Sequence, residues 1–176
     1  LIKMTGLPIS VNLTQADIMN SAVIEKIESI TSDESYMEGG LILEIVESDE
    51  LTNIEECIRF IKKVQSFGVL VAIDDFGSGY SNILNLLRLN LDIVKIDGEL
   101  IRRIEHDRDT FNFIKGIYDF CTNSGYKVVA EYVENSNILK MIKEIGIEFC
   151  QGFMFGKPEA PEDIPGLSGV YSAAGD

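Results

Sequence analysis

Six short apolar runs in this chain each end in a residue able to hold a metal ion, a proton or an anion. Ile9-Ser10-Val11 leads to Asn12, and Leu41-Ile42-Leu43 leads to Glu44, with Glu47 just beyond. Val69 to Ile73 leads to the doublet Asp74-Asp75, and Ile93-Val94 leads to Lys95 and Asp97. Val128-Val129-Ala130 leads to Glu131 and Glu134, and Phe149-Cys150 leads to Gln151. Carboxylate and amide oxygens are the ligands that Mg²⁺ and Mn²⁺ prefer. The doublet is the informative pair. A strand ending at Asp74 aims one carboxylate into a common mouth, and a turn at Asp75 can bring the second alongside. One carboxylate can then bridge two metals about 3.5–4 Å apart, the spacing of two-metal hydrolases. Lys95 on the same rim can hold an anionic nucleophile or a phosphoryl oxygen. Taken singly, an acid at a strand end is more often a turn or cap residue. Six such positions, each after a run that otherwise excludes charge, point to use.

Other chemistries have little to stand on. The single histidine, His106, lies in the polar run from Glu105 to Arg108, which suits a solvated surface and leaves Ser–His–Asp or Cys–His hydrolysis without a base. Gly77-Ser78-Gly79 is too short a glycine pattern for a phosphate cradle and suits a flexible turn. Cys57, Cys121 and Cys150 are widely spaced within apolar stretches, which predicts buried free thiols and a reducing compartment. A net charge of -14 offers no basic surface to displace phosphate counterions, so DNA, RNA polymers and anionic membranes are not general partners. An acidic protein still handles a phosphate ester where bound metals invert the local field. No apolar run reaches the ~20 residues of a membrane span and no signal-peptide pattern opens the chain, so a cytoplasmic location is expected.

The elements that must position these residues alternate strand and helix. At 176 residues the chain can bury a sizeable core as one domain. Thr14 with Asp17 opens one helix carrying Ile24, Ile27 and Ile30. Thr52-Asn53-Ile54-Glu55 is a capping box, followed by Ile54, Cys57, Ile58, Ile61 and Val64 at helical spacing, with Gly68 as a left-handed stop. Phe111, Ile114 and Ile117 mark another helix, and Ile138, Leu139, Ile142 and Ile145 the last, ending at Gly146. Residues 1–158 are expected to form the domain and 159–176 a Pro- and Gly-dotted tail. Such alternation permits an open doubly wound sheet or a closed barrel. In an open sheet ligands gather at one switch point. Six functional strand ends converge only if the sheet curls, which predicts a TIM-type (β/α) barrel with its site at the C-terminal rim. Such a barrel has eight strands, and six are legible.

The motifs themselves carry a resemblance. Asp74-Asp75-Phe76-Gly77-Ser78-Gly79-Tyr80-Ser81, Val94-Lys95-Ile96-Asp97, Ala130-Glu131-Tyr132-Val133-Glu134 and Gln151-Gly152-Phe153 resemble, in order, those of EAL-domain phosphodiesterases. Ser10-Val11-Asn12-Leu13 and Leu43-Glu44-Ile45-Val46-Glu47 match two upstream motifs, so the likeness runs from Pro8 to Pro158. It implies hydrolysis of the bacterial second messenger cyclic di-GMP to linear pGpG with Mg²⁺ or Mn²⁺. By that resemblance Asn12, Glu44 and Asp74 bind the first metal, and Asp74, Asp75 and Glu131 the second. Lys95 steadies the attacking water, Glu131 assists its deprotonation, and Gln151 contacts that water or the substrate. Glu47, with Glu134, anchors the loop beginning at Phe76, whose Gly77 and Gly79 let it move and couple metal occupancy to a homodimer.

This sequence departs from the family at Tyr132, where a glycine is usual, and mildly at Val46 and Asn82. The Glu-Ala-Leu motif, with its metal-binding glutamate, is expected upstream of Leu1, together with two strands and a sensory or diguanylate cyclase domain in a longer parent. On that expectation the chain alone is impaired in turnover. A non-catalytic cyclic di-GMP receptor, an enolase-type barrel and a Schiff-base aldolase using Lys95 remain open as alternatives.

Overall fold

The computed structural model describes residues 6–46, 53–77 and 83–160. Its strands are β1 (Ile9–Leu13), β2 (Leu41–Val46), β3 (Leu70–Phe76), β4 (Ile93–Ile96), β5 (Lys127–Ala130) and β6 (Phe149–Cys150). All five pairings are parallel, and the order across the sheet is the order along the chain, β1 to β6. A doubly wound sheet would reverse direction at a switch point; this one never does, as a barrel requires.

Helices α1 (Gln15–Ile18), α2 (Ser21–Thr31), α3 (Ile54–Gln65), α4 (Ile83–Leu89), α5 (Gly98–Arg103), α6 (Arg108–Asn123) and α7 (Ser136–Ile145) fill the crossovers. The predicted apolar stripes face the sheet. Cys57, Ile61 and Val64 of α3, Phe111, Ile114, Ile117 and Cys121 of α6, and Ile138, Ile142 and Ile145 of α7 are buried. They pack on strand residues such as Val71, Ile73, Val94 and Val128, forming one continuous core. Gly146 closes α7 in the left-handed conformation, as its position predicted.

Three local expectations need correction. The helix opened by Thr14 is two helices. Thr14 and Asp17 do form a capping box, but Asn20 then turns extended and accepts a hydrogen bond from the Ala22 amide, capping a new start. Its stripe is also thinner than expected, since Ile27 is buried but Ile30 is exposed. The start of α3 is capped by Asn53, whose side chain accepts from the Glu56 amide. Thr52 of the proposed capping box lies outside the described residues. Finally, Cys57 and Cys121 are buried free thiols as predicted, but Cys150 is only half-buried.

Candidate metal centre

Strand register alone places the polar residues on one face. Asn12 pairs with Glu44, and Glu44 with Ala72, so these side chains project the same way. Asp74 lies two residues beyond Ala72. Ala72 pairs with Ile93, and Lys95 lies two residues beyond that. Lys95 pairs with Val129, two residues before Glu131, and Val129 pairs with Phe149, two residues before Gln151. Each step of two keeps the face while climbing toward the C-terminal rim. The result is a single polar stripe across all six strands.

Strand geometry would send Asp75 to the opposite face from Asp74. A bulge prevents this. Between Ile73 and Phe76 β3 advances three residues while β4 advances two, from Val94 to Ile96. Asp75 absorbs the extra residue with a left-handed φ of 55°, uncommon for a residue with a side chain. Ligand oxygens of Asp74, Asp75 and Glu131 thereby lie within 4.8 Å of one another. Phe76, expected at the loop, ends β3 with its ring buried in the core.

Lys95 is the counter-ion of this cluster. Its Nζ lies 2.8 Å from Glu44 Oε2, 2.7 Å from Asp74 Oδ1 and 3.0 Å from Glu131 Oε1. Burial by itself would push the ammonium toward neutrality, but the hydrogen bonds to Asp74, Glu44 and Glu131 outweigh it and hold Lys95 charged. Burial pushes the Glu131 carboxyl up to about 7, with Lys95 only partly opposing it and Asp74 and Asp75 adding to it. Gln151 Nε2 donates to Glu131 Oε1 at 2.6 Å, orienting that carboxylate. The Asp75 carboxyl is raised by burial, then by Asp74 and Asp97. Hard carboxylate oxygens gathered this closely, with burial first and neighbouring carboxylates second raising the proton affinity of Asp75 and Glu131, fit a divalent cation well.

The stripe opens into a cavity of about 910 Å³. Asn12, Glu44, Asp74, Asp75, Lys95, Glu131, Glu134 and Gln151 all line it, whereas Asp97, also singled out in the sequence, caps α5 by accepting from the Glu99 amide. Gly77 follows β3 at the start of the loop. Glu47 and Gly79 lie outside the described residues. Glu44 reaches the tight carboxylate group through Lys95, and Asn12 and Gln151 are exposed at its edge. Sequence reasoning missed the cavity's other wall, made of Tyr132, Cys150, Phe153, Phe155 and Lys157. The dense aromatic run Phe153-Met154-Phe155 after a strand end was the available signal. Gly152 lets this wall close in, since a Cβ there would collide with the backbone of Val133.

Ordered parallel strands with this acidic rim define part of a TIM-type (β/α) barrel, and comparison gives its family. The chain belongs to the EAL domain family, whose model matches residues 2–158. It is 31% identical over 157 residues to the cyclic di-GMP phosphodiesterase PdeF of Escherichia coli K12, covering 89% of this chain and 21% of PdeF. It is similar in structure to the EAL domain of Mycobacterium smegmatis DcpA, with a TM-score of 0.82 and 25% identity, covering 94% of this chain and 72% of that one. A second neighbour is the PaMucR phosphodiesterase in complex with c-di-GMP, with a TM-score of 0.78 and 30% identity, covering 88% of this chain and 63% of that one. The chain spans about a fifth of the length of the curated relatives it matches.

Proposed function

We propose that this chain carries most of a metal-dependent phosphodiesterase site that hydrolyses cyclic di-GMP to linear pGpG, the chain alone being impaired in turnover. The observation that carries the reading is the bulge at Asp75, which gathers three carboxylates beside a buried lysine. Names of relatives and a neighbour with c-di-GMP bound support the substrate. Asn12, Glu44 and Asp74 would hold one Mg²⁺ or Mn²⁺, and Asp74, Asp75 and Glu131 a second. Such ions neutralise phosphate charge and acidify water. Hydrolysis adds water across one P–O3′ bond: oxygen joins phosphorus, and a proton ends on the departing 3′ oxygen. Glu131, which faces the same cavity as Lys95 and Gln151, would assist deprotonation of the attacking water. Lys95 holds the developing anion, and Gln151 keeps Glu131 aimed.

Residues 1–158 form the catalytic unit in this reading, with 159–176 a tail. Glu47, Phe76, Gly77, Gly79 and Glu134 couple the site to the segment leading into α4. That helix exposes Ile83, Leu84 and Leu87, an apolar stripe suited to a homodimer. Among the described residues no helix is long and apolar enough to cross a membrane. A cytoplasmic location and an attached upstream signalling domain complete the proposal. The test is chromatography of cyclic di-GMP incubated with Mn²⁺ and the chain extended upstream through the Glu-Ala-Leu segment. Accumulation of pGpG that disappears in Glu131→Ala supports the reading; binding without pGpG would make the chain a receptor instead.

A further inference from the structure

Tyr132 follows Glu131 directly and takes a left-handed φ of 50°, a conformation that a bulky aromatic residue rarely adopts. Its surroundings accommodate this. Gly98, the first residue of α5, has no Cβ, and one built there would collide with the Tyr132 ring. Four residues on, the Arg102 guanidinium stands over the ring, 5.0 Å from its centre. Arg102 lines a separate depression on α5 with Glu99 and His106, whereas Tyr132 lines the acidic cavity. The ring is thus a partition, backed on the α5 side and open on the side of Glu131.

A tyrosine kept for packing looks different. Tyr126 is buried and its hydroxyl donates to the Leu86 carbonyl at 3.1 Å. Tyr132 is 49% exposed beside the carboxylates, the place where a phosphate ester would bring its attached groups. Backbone strain held at a site, with a flat surface turned toward it, fits a ligand-contacting role.

We propose that Tyr132 is a specificity-determining residue whose ring, backed by Arg102, stacks on a purine base of the bound dinucleotide. This rests on the phosphodiesterase reading above. Base–aromatic stacking of ordinary strength corresponds to roughly 5- to 100-fold in affinity. The test is calorimetric titration of the chain and its variants with cyclic di-GMP, with Ca²⁺ replacing Mn²⁺ to stop turnover. Tyr132→Leu and Tyr132→Gly should bind roughly 5- to 100-fold more weakly, while Tyr132→Phe stays close to the parent. The glycine variant relieves the left-handed strain, so it tests the ring without a folding penalty from the backbone. Mn²⁺ titrated in the absence of nucleotide should bind parent and variants alike. Unchanged cyclic di-GMP affinity in both the leucine and glycine variants overturns the proposal and leaves the phosphodiesterase reading intact. Parallel losses of Mn²⁺ affinity overturn it too, because the ring would then act only by positioning Glu131. A parent chain that binds no cyclic di-GMP removes the phosphodiesterase reading and this proposal with it.

Discussion

Replacing Lys95 by methionine tests whether the lysine is what allows three carboxylates to share a buried site. The methionine is close in length and carries no charge. Lys95 is only 5% exposed, as are Glu131 at 4% and Glu44 at 8%, so solvent screens the cluster little. Every ion pair found for Glu44, Asp74 and Glu131 among the described residues runs to Lys95. Removing one partner of a buried ion pair typically costs about 3–5 kcal/mol, because the other charge is stranded. For a domain of this size that is a fall of about 6–20 °C in Tm. The sign with pH follows from linkage. Burial already raises the Glu131 carboxyl to about 7 against the pull of Lys95; without the lysine it would rise further, so the folded variant binds more protons than the unfolded chain and loses stability as pH rises. The deficit should therefore be smaller at pH 5 than at pH 8, growing as pH rises through and beyond 7. Mn²⁺ should recover part of it, about 2.7 kcal/mol at one hundred times its dissociation constant. The assay is urea or thermal unfolding of parent and Lys95→Met at pH 5 and 8, with EDTA or with Mn²⁺. A variant within about 1 kcal/mol of the parent at pH 8 in EDTA would refute the counter-ion argument.

Asp74→Asn should weaken Mn²⁺ binding by more than about 100-fold by calorimetry, since a direct oxygen ligand loses its charge; equal binding removes Asp74 from the ligand set. In a chain that turns over cyclic di-GMP, Glu131→Ala should lower the rate by at least about 10²–10⁴-fold while circular dichroism shows the fold retained. Gly152→Ala should destabilise the fold by more than about 2 kcal/mol in urea unfolding, because its Cβ has only the Val133 backbone to displace. If the chain dimerises through α4 as proposed, the double change Leu84→Glu and Leu87→Glu should leave only monomer in light scattering, with the helix content retained by circular dichroism.

The rim was legible in the sequence for a reason that the register makes concrete. Strand side chains alternate, and a buried strand tolerates a charge only where it leaves the packed sheet. Asn12, Glu44, Asp74, Lys95, Glu131 and Gln151 stand at that exit in their respective strands, so reading where each apolar run stops located them all. Alternation could not position Asp75. The doublet suggested a turn there, but the bulge that makes it is a mismatch between β3 and β4, and a mismatch belongs to neither strand alone. The break between α1 and α2 was hidden for a different reason: the apolar spacing runs straight through Asn20, and only its local cap decides that the helix restarts. Tyr132 lay furthest from view. Its identity departs from the family motif, yet its meaning depends on Gly98, thirty-four positions earlier, lacking a side chain, and on Arg102 one helical turn beyond that. Contacts of this kind are tertiary: a helix that follows one strand shapes the pocket beside the end of the next. The same neighbour-to-neighbour dependence links the strand ends of this sheet, which is why a residue after β5 can owe its orientation to the first turn after β4.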